Sequence, residues 1–135
     1  MDEKNRVSIP AKFRNELGKK VIITPGLDDC LFVFTLKEWN KIEEKLSNSS
    51  ILHGDSRGFS RYMFGGATET DIDSTGRILI PDFLKERVSL KSKVVIIGVS
   101  SRLEIWSEKV WSEYKKVVEK QADTLAEKLS SVGVL

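Results

Sequence analysis

Asp2 and Arg6 stand four positions apart, and Asp73 and Arg77 repeat that spacing 71 residues later. An aspartate at this distance can hold an arginine in one direction. A guanidinium so held presents a planar fork of N–H donors that matches a phosphate or the edge of a base. Between each pair lies a residue suited to a tight turn. Gly76 precedes Arg77 and supplies positive φ without steric cost. Asn5 holds the same place before Arg6, and Asn is the next most tolerant of left-handed geometry. Asp2 and Asp73 open the turns, where a carboxylate accepts backbone N–H bonds. The pattern assigns Asp2, Asn5, Asp73 and Gly76 to building and orienting the turns, and Arg6 and Arg77 to reading a ligand.

The duplication reaches well beyond these residues. Asp2-Glu3-Lys4-Asn5-Arg6-Val7-Ser8-Ile9-Pro10 matches Asp73-Ser74-Thr75-Gly76-Arg77-Ile78-Leu79-Ile80-Pro81. Lys20-Val21-Ile22-Ile23 matches Lys93-Val94-Val95-Ile96, Leu31 to Phe34 matches Leu103 to Trp106, and Trp39 falls on Trp111. Small changes of offset fit loop insertions between equivalent elements. Two similar half-modules, each presenting an arginine from a turn, fit a pseudo-twofold or ring-building binding protein better than an enzyme with one cleft.

Double-stranded DNA is the physical match. A two-stranded β-ribbon fits the major groove, and an arginine on it can bond guanine O6 and N7 together, worth roughly 1–3 kcal/mol of discrimination. Lys4, Lys12, Arg14 and Lys85 lie near the two motifs in sequence and are candidates for phosphate contacts. The net charge of +2 is modest, but residues 1 to 20 carry six basic and three acidic side chains, so the first repeat is the more electropositive.

Other chemistry is weakly supported. His53, the only histidine, lies near Ser56, yet no strand leads sharply into that serine and no oxyanion motif accompanies it. Asp71 and Asp73 could share a strand face as paired carboxylates, but the turn accounts better for Asp73. There is no metal-ligand spacing, phosphate-binding glycine loop or dinucleotide fingerprint. The expectation is a protein that is not an enzyme and uses no cofactor or metal.

The elements that must position the arginines can be read along the chain. Val7 to Ile9 is a short strand, Pro10 opens a helix that runs to Leu17, and Gly18 stops it. Lys20 to Thr24 and Leu31 to Phe34 are strands around a Pro25-Gly26 turn. Thr35 is an N-cap with Glu38 as capping-box partner. The helix it opens carries Leu36, Trp39, Ile42 and Leu46 on one face. Asp55 to Phe64 reads as a short helix interrupted by Gly58. Thr68 to Ile72 is a strand leading into the second motif. Pro81 then starts a short helix, Val94 to Ile97 and Leu103 to Trp106 are strands, and Ser107 with Glu108 begins a long final helix. That helix carries Val110, Tyr114, Val117, Gln121, Leu125 and Leu129 in a 3–4 pattern. The boundaries divide the chain into a first repeat at 1–47, a connecting segment at 48–66 and a second repeat at 67–135. The short helices and hairpin-like strand pairs favour an α+β barrel of interleaved hairpins from both repeats over a doubly wound sheet.

Size and composition agree. At 135 residues and 40% hydrophobic, the chain can support one compact core, and 31% charged residues suit a soluble surface. The single cysteine, Cys30, cannot form an intramolecular disulfide and reads as a small core residue. No apolar run approaches ~18 residues and no secretory signal precedes the first motif, so a reduced, cytoplasmic protein without a membrane span is expected.

The paired Asp-x-x-x-Arg motifs, each running into Ile-Pro and a short helix, resemble the MraZ family of bacterial transcriptional regulators over almost the whole chain. That family is related to the AbrB-type swapped-hairpin DNA-binding proteins. The resemblance implies two tandem AbrB/MraZ-like repeats packed as a pseudo-twofold swapped-hairpin β-barrel with peripheral helices. It also implies a ring-shaped homo-oligomer, nucleoid-associated, that binds direct repeats in the promoter of its own operon, the division and cell-wall gene cluster. The family's arginine maps onto Arg6 and Arg77, and its aspartate onto Asp2 and Asp73. Two departures stand out. Asn5 replaces the family's usual glycine before the first arginine. The second repeat has a lead-in from Met63-Phe64-Gly65-Gly66 to Ile72, whereas the first starts at Met1-Asp2, so the first hairpin is expected to lack a partner strand. The rival reading is an oligomeric structural or protein-binding ring with no DNA readout. In a ring the final helix, with Trp111 and Tyr114, could line the subunit interface or pack on its own core.

Overall fold

The computed structural model describes all 135 residues. The elements run β1 (Arg6–Ser8), α1 (Ala11–Leu17), β2 (Lys20–Pro25), β3 (Leu31–Thr35), α2 (Leu36–Ser47), α3 (Gly54–Gly66), β4 (Thr68–Asp71), β5 (Arg77–Leu79), α4 (Asp82–Arg87), β6 (Val94–Val99), β7 (Arg102–Ser107) and α5 (Glu108–Ser131).

The strands form two separate antiparallel sheets. One is a two-stranded ribbon of β1 and β5, and the other has the order β4-β2-β3-β7-β6. The chain is α+β, as the sequence suggests. The barrel expected from it is not closed: no ladder joins ribbon to sheet, and β4 and β6 are outer edges. The ribbon strands are only three residues long. Each ends at a proline that starts the next helix, so neither extends far enough to bridge to the larger sheet. The first repeat has no strand before its turn: β4 pairs with β2, whereas β6, the counterpart of β2, is paired with β7 alone, and β1 pairs with β5 of the second repeat.

Strand periodicity explains the layering. Alternate residues of a strand face opposite sides. Val21, Ile23, Leu31, Val33, Leu103 and Ile105 point to one face of the sheet and join a 14-residue aliphatic core. That core takes Val7, Ile9, Ile78 and Ile80 from the ribbon segments, Leu17 from α1 and Leu84 from α4. The intervening residues Ile22, Phe32, Phe34 and Trp106 point to the other face, into an aromatic core with Trp39 of α2 and Met63 of α3. The sheet is therefore covered on both sides, which is why its central strands read as unbroken apolar runs. Each fully buried aliphatic side chain is worth roughly 1.5–3 kcal/mol. Cys30 is 1% exposed in the aromatic core, as expected of a core cysteine, and burial pushes its thiol up to about 12. Glu104 is the one carboxylate of that layer. It accepts hydrogen bonds from Arg102 Nε at 3.0 Å and from Trp106 Nε1 at 3.1 Å.

The helices mostly follow their sequence signals. Thr35 Oγ1 accepts the Glu38 N–H at 3.1 Å, which caps α2. The box is half formed, since the Glu38 carboxylate pairs with Lys41 instead. α3 differs from expectation: it is continuous from Gly54 to Gly66, without interruption at Gly58. Glycine inside a helix costs about 1 kcal/mol. Burial of Met63 and the hydrogen bond from the Tyr62 hydroxyl to the Gly26 carbonyl offset that cost. In α5 the apolar stripe divides in two. Trp111 and Tyr114 pack on Trp106, with the Tyr114 ring stacked at 4.9 Å. Val117, Leu125 and Leu129 are exposed, and every residue from Glu119 to the end lies in solvent.

Candidate nucleic-acid interface

The two Asp-to-Arg turns fold alike. In the first, Asp2 Oδ1 accepts the N–H groups of Lys4 and Arg6, both at 2.9 Å, and Oδ2 accepts Arg6 Nε at 2.8 Å. In the second, Asp73 Oδ1 accepts the N–H groups of Thr75 at 3.0 Å and Arg77 at 2.9 Å, and Oδ2 accepts Arg77 Nε at 2.9 Å. One carboxylate thus closes the turn with one oxygen and aims the arginine with the other. Asn5 and Gly76 both take positive φ, 60° and 82°. The hydrogen bond from the Arg6 N–H holds the Asp2 carboxyl below its ordinary value, and the Arg77 N–H does the same for Asp73 more strongly.

The ribbon brings the two turns together. Its register is centred on Val7 opposite Ile78, flanked by Arg6 opposite Leu79 and Ser8 opposite Arg77. Val7 and Ile78 point into the core, so alternation turns Arg6, Ser8, Arg77 and Leu79 to the other face. The two arginines lie on a diagonal across that face. Their side chains are 30% and 31% exposed. Nε of each is taken by its aspartate, which leaves the terminal nitrogens directed at solvent apart from a 3.8 Å contact between Arg77 Nη1 and Asp2 Oδ2. Each strand is also tied to the opposite turn, through Ile9 N–H to Gly76 O and Ile80 N–H to Asn5 O, both 2.8 Å.

The remaining candidates divide. Lys4 and Lys12 are exposed, with the Lys12 ammonium 5.0 Å from the Phe13 ring centre. Arg14 and Lys85 reach to the turn of the other repeat. Arg14 Nε donates to Ile9 O at 2.7 Å, and its guanidinium lies over Gly76, where an added Cβ would come 2.3 Å from Nε. Lys85 Nζ donates to Asn5 Oδ1 at 3.0 Å, and Asn5 Nδ2 donates to Asp82 Oδ1 at 2.8 Å. Both basic groups therefore brace the turns. Sequence reasoning missed Asp82, Ser8 and Leu79. Only the alternation of β1 and β5 around Val7 and Ile78 could have placed the last two beside the arginines.

Residues of the rival readings do not converge. Asp71 pairs with Lys20 at 3.7 Å, while Asp73 is occupied in its turn. His53 precedes α3 and its side chain makes no cap. No helix is long and apolar enough to cross a membrane.

Comparison with known proteins finds a family whose model matches twice, at residues 1–62 and 63–130, described as "MraZ protein, putative antitoxin-like". The chain is similar to the Transcriptional regulator MraZ of Caldanaerobacter subterraneus subsp. tengcongensis, 48% identical over 99% of this chain and 94% of the relative. It is similar also to those of Thermoanaerobacter sp. (strain X514), 47% identical over the same shares, and of Carboxydothermus hydrogenoformans, 48% identical over 96% of this chain and 90% of the relative.

Proposed function

We propose that this chain, which belongs to the MraZ family, is a transcriptional regulator that binds double-stranded DNA sequence-specifically through Arg6 and Arg77. The observation that carries the reading is the ribbon face. Two arginines from equivalent turns, each aimed by an aspartate, lie diagonally on a two-stranded ribbon, their terminal nitrogens held only by the 3.8 Å contact of Arg77 Nη1 with Asp2. A ribbon of this kind fits the major groove, and a guanidinium fixed through Nε keeps its Nη edge for guanine O6 and N7. Pre-orientation reduces the side-chain entropy lost on binding. Ser8 and Leu79 complete the surface that meets the base edges. Lys4 and Lys12 contact phosphates, while Arg14 and Lys85 contribute by fixing the turns.

The cross-repeat pairing of β1 with β5 supports a swapped-hairpin relationship within one chain. The functional units on this reading are the first repeat at 1–47, a connecting segment at 48–66 and the second repeat at 67–135. The exposed apolar residues of distal α5 support self-association into a ring. A ring lets several weak contacts act on successive direct repeats, and linkage of that kind raises apparent affinity by ~10²–10⁴. The target is the promoter of the protein's own operon, the division and cell-wall cluster, and its place is the cytoplasm at the nucleoid. The same exposed helix favours a second reading, a structural ring without DNA readout.

Binding of the full chain to a DNA fragment from upstream of its own gene, across a salt series, tests the proposal. Tight, salt-sensitive binding that is abolished by Arg77→Ala with the oligomer intact is expected. A well-folded oligomer that ignores the fragment favours the structural ring.

A further inference from the structure

The ribbon face continues into two adjoining hollows. Arg6, Ser8 and Arg77 line a hollow of about 610 Å³ together with Ser92, Lys93 and Glu108. The last three also line a neighbouring hollow of about 730 Å³ at the start of α5, which has no hydrophobic residue in its wall. Lys91, Lys93, Lys109 and Lys116 surround it, against Glu108 and Glu113. The lysine ion pairs of the structure are made by Lys20, Lys41 and Lys115, so none of these four ammonium groups is paired.

Ser107 marks what this hollow lacks. It is the N-cap of a 24-residue helix and is 5% exposed, yet its hydroxyl caps no helix N–H and is left without a hydrogen-bond partner in the protein. It lines the hollow. Thr35, its counterpart 72 residues earlier, caps α2 by accepting the Glu38 N–H. The Ser107 oxygen keeps contact with the hollow, unlike Thr24 Oγ1, which is sealed off without a partner, so it is open to a ligand there. At the helix start the Glu108 N–H is bonded to Lys93 O at 3.2 Å, and the N–H groups after it favour an anion.

We propose that the Ser107 hollow binds a phosphodiester of the same DNA whose bases the ribbon meets, with Lys93 and Lys109 as its principal cations. The inference rests on the DNA-binding reading above. Lys93 lines both hollows, so a duplex seated on Arg6 and Arg77 runs its backbone past the start of α5. Such a contact adds affinity without sequence preference.

The test uses the full chain, an upstream fragment and a scrambled fragment of equal composition, each across a salt series. Lys93→Ala with Lys109→Ala is compared with Arg77→Ala and with a distal control on α2, Lys37→Ala with Lys45→Ala. The site pair is expected to lose roughly tenfold affinity for both fragments and to flatten the slope of log K against log salt by about 0.9, the change for one phosphate. The preference for the upstream fragment stays. Ser107→Asp caps the helix but repels phosphate, so it should keep thermal stability while lowering affinity for both fragments. A site pair no weaker than the distal control overturns the inference. In that case, loss of preference in Arg77→Ala leaves the ribbon reading standing. Site variants that weaken binding while Arg77→Ala keeps its preference support the phosphate site and remove the base-reading role. No binding of either fragment overturns both.

Discussion

Asp2 touches arginines from both repeats, Arg6 Nε at 2.8 Å and Arg77 Nη1 at 3.8 Å, whereas Asp73 bonds only the arginine of its own turn. The two halves of the ribbon face are thus linked by a charge as well as by the β1–β5 ladder. The spacing within each pair was legible in the sequence. The bridge between the pairs was not, because it depends on how the repeats pack.

The Asp73 carboxyl is held below its ordinary value of 3.8, first by the Arg77 N–H and then by bonds from Thr75 and the Arg77 side chain. A folded value below the unfolded one contributes stability that is complete above about pH 4, and that contribution fades as pH falls through the folded value. A carbon-detected NMR titration should find the Asp73 carboxylate still ionised at pH 3.8. A midpoint at the ordinary value would show that the turn bonds do not favour the charged form.

Gly76 has φ of 82° and sits under Arg14. Gly76→Ala meets left-handed backbone strain and a side chain already in place. A loss of about 1–3 kcal/mol in denaturant unfolding is expected. Unchanged stability would mean that Arg14 moves freely and does not brace the turn.

The fold was legible where a local signal sufficed. Continuous apolar runs marked β2, β3 and β7, and Thr35 marked the start of α2. Gly58 misled, because helix propensity is a small penalty beside the packing of Met63. The barrel misled for another reason: short strands and turns are compatible with a closed barrel or with a ribbon stacked on a sheet, and only tertiary packing decides. Arg14 and Lys85 were visible as basic residues near the motifs. Their reach to the opposite turn, 80 positions from Lys85 to Asn5, has no signature in local sequence.

Thr24 is fully buried in β2 and its hydroxyl has no hydrogen-bond partner. Thr24→Val keeps the shape and removes the unmet group. Thermal unfolding should show a neutral or stabilising change, up to about 1–3 kcal/mol. A loss above about 1 kcal/mol would show that a buried water serves the hydroxyl.

Leu125 and Leu129 lie on the solvent-exposed part of α5. Leu125→Glu with Leu129→Glu should leave subunit stability within about ±0.5 kcal/mol per site. Light scattering should meanwhile show a smaller assembly. An unchanged assembly would remove distal α5 from the subunit interface.

The most direct measurement is competition between the upstream fragment and its scrambled form for the full chain and for Arg6→Ala with Arg77→Ala, at one fixed salt concentration. The account predicts a clear preference for the upstream fragment in the unaltered chain. In the variant, residual binding should remain but the preference should vanish. Equal preference in both proteins, or none in the unaltered chain, would contradict the claim that the two oriented arginines read sequence.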